Sequence, residues 1–257
     1  MKIQYCSDLH LEFPENKALL KTSPLAPVGD ILLLAGDIVP FAAMDKHNDF
    51  FNYIADNFEL TYWIPGNHEY YYSDVTQRSG TFSENIRSNV VLLNNQAVIR
   101  EKTRFVFSTL WSRINPAYQF QIERGMSDFH VIKYNGYRFS VDRFNQLHSD
   151  CINFIQPELE QAYYGTTIVV SHHMPTFMNY PTKFKEDVLN EAFAVELHDL
   201  IERTQPQYWI YGHTHGDIPD FEIRTTKLLA NQLGYVKYNE HAAFRNSVCV
   251  NLDKDAD

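Results

Sequence analysis

The chain has 257 residues, the size of one large domain or two small ones. Its hydrophobic fraction of 44% and charged fraction of 21% are typical of a folded protein and exclude a disordered one. Lysine and arginine together number 22 against 32 aspartates and glutamates, and the formal charge of −10 excludes binding to duplex nucleic acid through overall positive charge. A phosphorylated ligand would therefore need a local positive site.

Cysteine usage and apolar runs predict a protein of the cytoplasm. The three cysteines, Cys6, Cys151 and Cys249, form no CxxC pair and no even framework, which favours a reducing compartment. The first residues reach Asp8 before any apolar stretch typical of a signal peptide. The longest apolar run, residues 31–35, is far shorter than the roughly 20 residues that cross a bilayer, so we expect no membrane partner.

Short apolar runs typical of strands alternate with stretches of helical period along the chain. In chain order, the sequence predicts strands at 2–6 and 30–35, a helix at 41–58, strands at 60–64, 90–99 and 104–110, a helix at 141–162, a strand at 167–170, a helix at 191–203, a strand at 208–211, and strands at 221–225, 227–230 and 247–251. Ser140 is the predicted N-cap of the helix at 141–162. The strands at 90–99 and 104–110 are predicted to pair with each other across a charged turn.

Residues 112–140 and 174–190 show no clean period, and we interpret them as irregular inserts in a single domain that spans residues 1–257. The sequence contains no repeat, no linker and no low-complexity tract that would divide the chain. Because segments of this kind vary most between proteins that share a scaffold, we expect the two inserts to determine specificity.

Polar clusters follow five of the predicted strands at the point where each strand ends. They read SDLH from Ser7, GD from Gly36, GNHE from Gly66, SHH from Ser171 and GHTH from Gly212. Strands that alternate with helices form parallel sheets, and ligands of such sheets bind beyond the carboxyl ends of the strands. We therefore expect the five clusters to meet at one edge of the structure.

The donor atoms of these clusters predict a metal site. The pairs Asp8-x-His10 and His213-x-His215 would each converge on one ion, since residues two apart in an extended segment point to the same side. Carboxylate, carboxamide and imidazole donors without a thiolate suit Mn, Fe, Zn, Co or Ni. More than four donors are too many for one tetrahedral zinc and indicate two divalent metal ions that share a carboxylate. The five histidines outside the clusters are expected to be surface or core residues.

The clusters resemble the five motifs of the calcineurin-like metallophosphoesterases, in the family's order and over residues 8–215. The motifs are Asp8-Leu-His10, Gly36-Asp37, Gly66-Asn67-His68-Glu69, the SHHxP around His172, and Gly212-His213-Thr214-His215. The resemblance implies an α/β fold, a four-layer sandwich of two facing mixed β-sheets flanked by helices. It also implies a phosphoesterase that depends on two metal ions.

The resemblance further implies which residues hold the two metals. One metal would be held by Asp8, His10, Asp37 and His215, and the other by Asp37, Asn67, His172 and His213. Asp37 would thus bridge the two ions. The mechanism implied is in-line attack on phosphorus by a metal-bridging hydroxide, formed near neutral pH from a water that the two cations share.

Other residues of the motifs have implied roles outside the metals. His68 would be the catalytic residue, which donates a proton to the leaving oxygen or hydrogen-bonds the phosphoryl group. Glu69 would orient His68 or be an ordinary residue of a first helical turn. His172 is assigned as a ligand because it follows the strand directly after Ser171. His173 would support a ligand, contact the substrate or be an ordinary loop residue.

The expected partner is a small phosphorylated substrate, with nucleotides among the candidates, and both phosphomonoesters and phosphodiesters stay open. The stretch 36–40 lacks the acidic residue and the arginine of the protein Ser/Thr phosphatase branch, so we do not expect phosphoprotein hydrolysis by that branch's arrangement. Two alternatives are a non-catalytic scaffold of the same fold and a nuclease of the superfamily. The complete donor set argues against the first, and the acidic composition argues against the second. The sequence does not determine the oligomeric state.

Overall fold

The structure is a computed structural model that describes residues 1–181, 184, 187–216 and 218–252. The helices in this part of the chain are α1 (Pro14–Thr22), α2 (Asn48–Asn57), α3 (Gln119–Gly125), α4 (Asp128–Val131), α5 (Val141–Glu160) and α6 (His198–Thr204). The strands are β1 (Lys2–Cys6), β2 (Ile31–Ala35), β3 (Leu60–Ile64), β4 (Phe82–Arg87), β5 (Val90–Asn94), β6 (Gln96–Arg100), β7 (Thr103–Ser108), β8 (Lys133–Tyr134), β9 (Tyr137–Arg138), β10 (Thr166–Ser171), β11 (Tyr208–Tyr211), β12 (Phe221–Ile223), β13 (Thr226–Ala230) and β14 (Cys249–Asn251).

Twelve of these strands form two mixed sheets of six. The first sheet has the order β14-β1-β2-β3-β5-β4 and the second the order β12-β13-β11-β10-β7-β6. In each sheet the four central strands run parallel and the two outer strands run antiparallel to their neighbours. The carboxyl ends of the central strands in each sheet therefore lie at the same edge of that sheet.

Adjacent residues of one strand pack into different apolar clusters, and this separates four layers. Leu33 of β2 and Phe107 of β7 belong to the cluster between the two sheets. Leu34 belongs to a cluster with Phe51 of α2 on the outer face of the first sheet. Val106 packs into a third cluster, with α5 and α6, outside the second sheet. The prediction of a four-layer α/β sandwich is confirmed.

The predicted strand at 90–99 is wrong as a single element. Its first half is β5, which pairs with β3 and β4 in the first sheet, and its second half is β6, which pairs with β7 in the second. Asn95 lies between them with φ 47°, a left-handed conformation that Asn tolerates better than most residues. This turn takes the chain from one sheet to the other, so only the second half pairs with the strand after it.

Helix boundaries also differ from the prediction. The stretch predicted as a helix at 41–58 is a 3₁₀-helix (Phe41–His47) followed by α2. Ser140 precedes α5 as predicted but makes no side-chain capping bond; the Val141 N–H donates instead to Glu123 Oε1 at 2.9 Å. The insert at 112–140 contains α3, α4 and the β8–β9 hairpin, and the insert at 174–190 is described except at 182, 183, 185 and 186.

Among the described residues, no helix has both the length and the apolar composition needed to span a membrane.

Candidate metal centre

The five polar clusters lie together beyond the carboxyl ends of β1, β2, β3, β10 and β11. Among the groups of donor atoms that are close enough to hold an ion, two consist of residues of these clusters alone, with each group's atoms within 4.8 Å of one another. The first set comprises Asp8, His10, Asp37 and His215, and the second comprises Asp37, His172 and His213. The Oδ1 of Asn67 lies 3.2 Å from Nε2 of His172 and so joins the second set. Asp37 belongs to both.

The backbone at these residues is not extended, which corrects the reason given for their convergence. Left-handed φ angles occur at Asp8 (56°), His10 (46°), Asp37 (56°), His213 (76°) and His215 (46°). Such angles are uncommon for residues other than glycine, and residues held in them cluster at functional sites. The donors therefore converge because the chain turns sharply at each of them, with period two playing no part.

Two glycines allow the backbone to approach the donors closely. A Cβ on Gly66 would lie 2.2 Å from Asp37 Oδ1 and 2.6 Å from His172 Nε2. A Cβ on Gly36, where φ is +87°, would lie 2.4 Å from His172 Nδ1. Any larger residue would displace the donor atoms, so steric crowding explains why glycine occupies these positions of the GD and GNHE motifs.

In the first set, two imidazoles direct their Nε2 atoms at each other. Nδ1 of His10 lies 3.3 Å from Glu12 Oε1, and Nδ1 of His215 lies 2.9 Å from Glu240 Oε2. A carboxylate only accepts hydrogen bonds, so each Nδ1 carries a proton. The two Nε2 atoms are 2.9 Å apart, and that of His215 also lies 3.2 Å from Asp8 Oδ1. Although burial opposes ionisation, the hydrogen bonds to Asp8 and Glu240 raise the pKa of His215 to about 10, so without a cation its Nε2 also holds a proton. A cation that both Nε2 atoms coordinate would take the place of that proton.

The second set has the same arrangement with backbone carbonyls as the outer acceptors. Nδ1 of His172 lies 2.9 Å from the Ala35 carbonyl, and Nε2 of His213 lies 3.2 Å from the Ala192 carbonyl. The inward nitrogens, Nε2 of His172 and Nδ1 of His213, are 3.1 Å apart. Ligand histidines in metal sites commonly donate their other N–H in this way. The residues therefore fit a pair of small divalent cations.

The carboxamide of Asn67 is oriented by Asp128. Its Nδ2 donates to Asp128 Oδ1 at 2.9 Å, which leaves Oδ1 of Asn67 directed toward His172. The same Asp128 oxygen accepts from the Tyr71 hydroxyl at 2.8 Å. No local pattern of the sequence connects Asp128, within the insert at 112–140, to a motif residue.

The electrostatics of the centre favour an ionised Asp37. Burial alone would raise the pKa of this carboxyl, but the neighbouring His172 and His68 imidazoles hold its pKa well below the ordinary value. Asp37 Oδ1 also accepts from the backbone N–H of His68 at 2.9 Å. An anion is thus maintained at the one position that both donor sets share.

His68 belongs to neither of these two donor sets, but it forms a further group with His10 and Glu12 whose possible ligand atoms lie within 4.8 Å of one another. Its Nδ1 is 3.1 Å from Glu12 Oε1, and its Nε2 is 3.2 Å from the Tyr235 hydroxyl. The Tyr71 ring stacks on it, with 3.9 Å between ring centroids. Although burial opposes ionisation, the hydrogen bonds from His10 and His68 lower the pKa of Glu12 to about 2.

His173 is buried but points away from the other donors. Its Nδ1 lies 3.3 Å from the Thr109 carbonyl, and its Nε2 has no hydrogen-bond partner among the described residues. Its ring packs near Trp111 and His213. Burial, with the adjacent His172, lowers the pKa of His173 to about 3, so the ring is neutral in this apolar environment.

Glu69 does not contact the His68 side chain, which corrects the idea that it orients that ring. Its two oxygens accept from the backbone N–H groups of Asp37 (2.9 Å), Ile38 (2.7 Å) and Gly66 (2.7 Å), and from Trp63 Nε1 (3.1 Å). The side chain is fully buried. Glu69 therefore holds the loops that carry Asp37 and Asn67 against each other.

Replacing Glu69 by Gln is expected to destabilise the fold. The amide would present an NH₂ donor to N–H donors, and this leaves buried groups unsatisfied at a cost of about 2–4 kcal/mol in the free energy of unfolding. Urea unfolding of the metal-free protein measures the loss. Glu15→Gln, at an exposed position of α1, is the matched control and should change stability little. Equal stability of the two variants would contradict the role given to Glu69.

The donors open onto a cavity of about 330 Å³. Asp37, Asn67 and His213 form its inner end, and residues from both inserts line its sides. Apolar side chains among the described lining residues are Met126, Tyr180, Phe184, Leu189 and Phe193. The inserts are thus placed where they contact whatever occupies the cavity.

Sequence reasoning missed Glu12, Asp128, Tyr235 and Glu240. A signal existed for Glu12, which follows His10 at the same spacing of two that links His10 to Asp8. The other three lie far along the chain from the histidines or amide that they contact, so no local pattern could have identified them.

Comparison with known proteins places these features in context. The family model described as calcineurin-like phosphoesterase matches residues 1–217. An uncharacterized protein of Acanthamoeba polyphaga mimivirus, L509, is 31% identical over 264 residues, with 91% of each chain covered. The fold is similar to that of a phosphopantetheinyl hydrolase from Mycobacterium tuberculosis, with a TM-score of 0.67, 16% identity, and 92% of this chain and 90% of that chain covered. A dimetal phosphatase from Danio rerio aligns with a TM-score of 0.46 and 12% identity over 90% of this chain and 87% of that one.

Proposed function

The chain belongs to the calcineurin-like phosphoesterase family, and from this premise we propose that it is a dinuclear metal-dependent hydrolase of small phosphate esters. The observation that carries the proposal is the orientation of four imidazoles around Asp37, those of His10, His172 and His213, which are buried, and that of His215, which is partly exposed. Each of them has its outer nitrogen beside a carboxylate or a backbone carbonyl and its inner nitrogen directed at the other donors.

We assign the two ions to the donor sets that share Asp37. The first ion would be held by Asp8, His10, Asp37 and His215, and the second by Asp37, Asn67, His172 and His213. Oxygen and nitrogen donors without sulfur support Mn, Fe, Zn, Co or Ni. Two such ions would polarise the phosphoryl oxygens and lower the pKa of a water molecule.

The side chains around the ions would complete the reaction. His68 faces the cavity, with 4.5 Å between the centroids of its ring and that of His10, and there it can donate a proton to the leaving oxygen of the ester. The apolar side chains of the two inserts would exclude water from the organic group of the substrate. Asp128 would keep the oxygen of Asn67, rather than its NH₂ group, directed at the ion.

The cavity supports a substrate with a sizeable organic group on its phosphate. Leu189, Phe193 and Met126 offer apolar contact to such a group. The Mycobacterium tuberculosis protein of similar fold is a phosphopantetheinyl hydrolase, and a phosphopantetheinyl compound therefore belongs in a substrate panel together with nucleotides. Phosphomonoesters and phosphodiesters are both compatible with the site.

A substrate screen tests the proposal directly. The protein is loaded with Mn, Co, Ni, Zn or Fe. Hydrolysis of p-nitrophenyl phosphate, bis-p-nitrophenyl phosphate, a nucleotide panel, a phosphopantetheinyl compound, and single- and double-stranded DNA is then measured. Turnover that depends on the metal supports the proposal and separates monoesterase from diesterase. Metal binding without turnover of any ester would favour a scaffold. Activity restricted to DNA strands would favour a nuclease.

Replacing His68 by Ala should lower kcat by about 10²–10⁴-fold, the usual contribution of a positioned proton donor. The bound metal content, measured by mass spectrometry of the dialysed protein, should stay the same because His68 lies outside both donor sets. His130→Ala, at an exposed position of α4, is the matched control and should retain full activity and metal content. A metal content that falls in the His68 variant would make His68 a ligand and contradict this assignment.

A further inference from the structure

Glu12 contacts both His68 and His10, a residue of the first donor set. Its Oε1 is 3.1 Å from Nδ1 of His68 and 3.3 Å from Nδ1 of His10. Because an ionised carboxylate only accepts, both Nδ1 atoms carry their protons. A single oxygen atom therefore holds the ring of a proposed metal ligand and the ring of the proposed catalytic residue.

Two neighbours together determine the orientation of the His68 ring: Tyr71 sets its plane, and Glu12 sets which nitrogen faces the cavity. Tyr71 stacks on the ring at an interplanar angle of 24° and so fixes the ring plane. Within that plane, the bond to Glu12 decides which nitrogen faces outward. The outward atom is Nε2, 3.2 Å from the hydroxyl of Tyr235, and both side chains line the cavity.

The position of Glu12 is itself well determined. The Leu11 N–H donates to the Ile38 carbonyl at 2.9 Å, which ties this segment to the chain that follows β2. Glu12 Oε2 is buried and has no hydrogen-bond partner among the described residues. An unsatisfied buried carboxylate oxygen costs stability, and such a cost is commonly retained where the group has a function.

We infer that Glu12 is a positioning residue of the proposed reaction: its Oε1 holds Nε2 of His68 toward the leaving oxygen and ties the ring to His10. The inference rests on the proposed function. In the step concerned, a water-derived oxygen bonds to phosphorus and the bond from phosphorus to the leaving oxygen breaks. That oxygen takes the Nε2 proton of a His68 ring that enters the step protonated on both nitrogens. His68 Nδ1 keeps its proton on Glu12, which stays ionised throughout.

The test uses Glu12→Gln in the metal-loaded protein, with Glu15→Gln as the control. The kcat is expected to fall by about 10–100-fold, the usual effect of removing a group that orients an active-site histidine. The KM should change little, because Glu12 is not among the residues that line the cavity of the metal centre. The loss should be larger for a phenyl ester than for the p-nitrophenyl ester, since p-nitrophenolate needs less help from a proton donor.

Two further measurements separate this role from a structural one. In a His68→Ala background, Glu12→Gln should cause no additional loss of kcat, because its effect acts through that ring. In metal-free protein labelled at histidine with ¹⁵N, the His68 signals should report a proton on Nδ1 in the wild type and lose that preference in Glu12→Ala. The His68→Ala spectrum assigns these signals.

The outcomes distinguish the two hypotheses. If the wild type hydrolyses no ester, the proposed function fails, while the ¹⁵N spectra still decide whether Glu12 orients His68. If the wild type is active and Glu12→Gln has the same kcat as Glu15→Gln, the inference is overturned. It is also overturned if Glu12→Gln lowers kcat as much in the His68→Ala background as in the wild type. Loss of a bound metal ion in Glu12→Gln at saturating metal concentration would also overturn it, because the effect on kcat would then act through the metal centre and not through His68. If Glu12→Gln does not fold, Glu12→Asp replaces it with the same expectations, because the shorter side chain withdraws the carboxylate.

Discussion

Asp37→Asn is expected to lower kcat/KM by at least about a thousandfold, or about 4 kcal/mol of transition-state stabilisation. Asp37 is the only residue shared by the two donor sets among the described residues, so its replacement affects both proposed ions. The carboxamide also removes the negative charge that offsets two cations at close range. Activity on the best ester of the screen and metal content together measure the effect.

Variants of residues that belong to one donor set are the controls for Asp37→Asn. His10→Asn and His213→Asn should each weaken mainly one ion and cost less activity than Asp37→Asn at the same metal concentration. Thermal unfolding of the metal-free proteins establishes that all three variants fold. Equal losses of activity and of metal in the three variants would contradict a shared carboxylate at Asp37.

Removal of the metals is expected to abolish turnover and to lower the melting temperature. At a metal concentration 100 times the dissociation constant, binding stabilises the folded state by about 2.7 kcal/mol. For a chain of this size each kcal/mol corresponds to roughly 2–4 °C, so chelation should lower Tm by roughly 5–10 °C. Differential scanning calorimetry and an activity assay before and after addition of a chelator measure the two effects.

The chelation experiment has a control within the same chain. Asp37→Asn should show little change of Tm on chelation, because it binds the ions weakly before the chelator is added. Re-addition of Mn or a similar ion should restore the activity and the Tm of the wild type. Turnover that persists in excess chelator would exclude the proposed mechanism, whichever residues bind metal.

Much of the fold could be predicted because its central strands are buried on both faces. Residues 2–6, 60–64 and 208–211 were predicted with the bounds observed for β1, β3 and β11. These runs are largely apolar and end at polar residues, so the local sequence suffices to predict where each strand begins and ends. Since parallel strands end at one edge, the clusters that follow them could also be predicted to lie together.

Elements that depend on remote partners could not be predicted in the same way. The run at 90–99 looks continuous, yet the turn at Asn95 places its halves in different sheets. The strand β4 carries polar residues along much of its length and exists because it pairs with β5. The residue pattern of one segment does not indicate which remote segment will pair with it in the folded chain.

The same distinction between local and remote determinants applies to the candidate metal centre. The amino-acid sequence by itself determined which donor types are available and that Asp8, Asp37, Asn67, His172 and His213 follow strand ends, because short-range order along the chain controls both. Only the tertiary structure decided which nitrogen of each histidine faces inward. That choice depends on acceptors such as Glu240 and the Ala35 carbonyl, which lie 25 and 137 residues away along the chain from the histidines they contact. A hydrogen bond requires proximity in space, and folding alone brings such distant groups within 3 Å of each other.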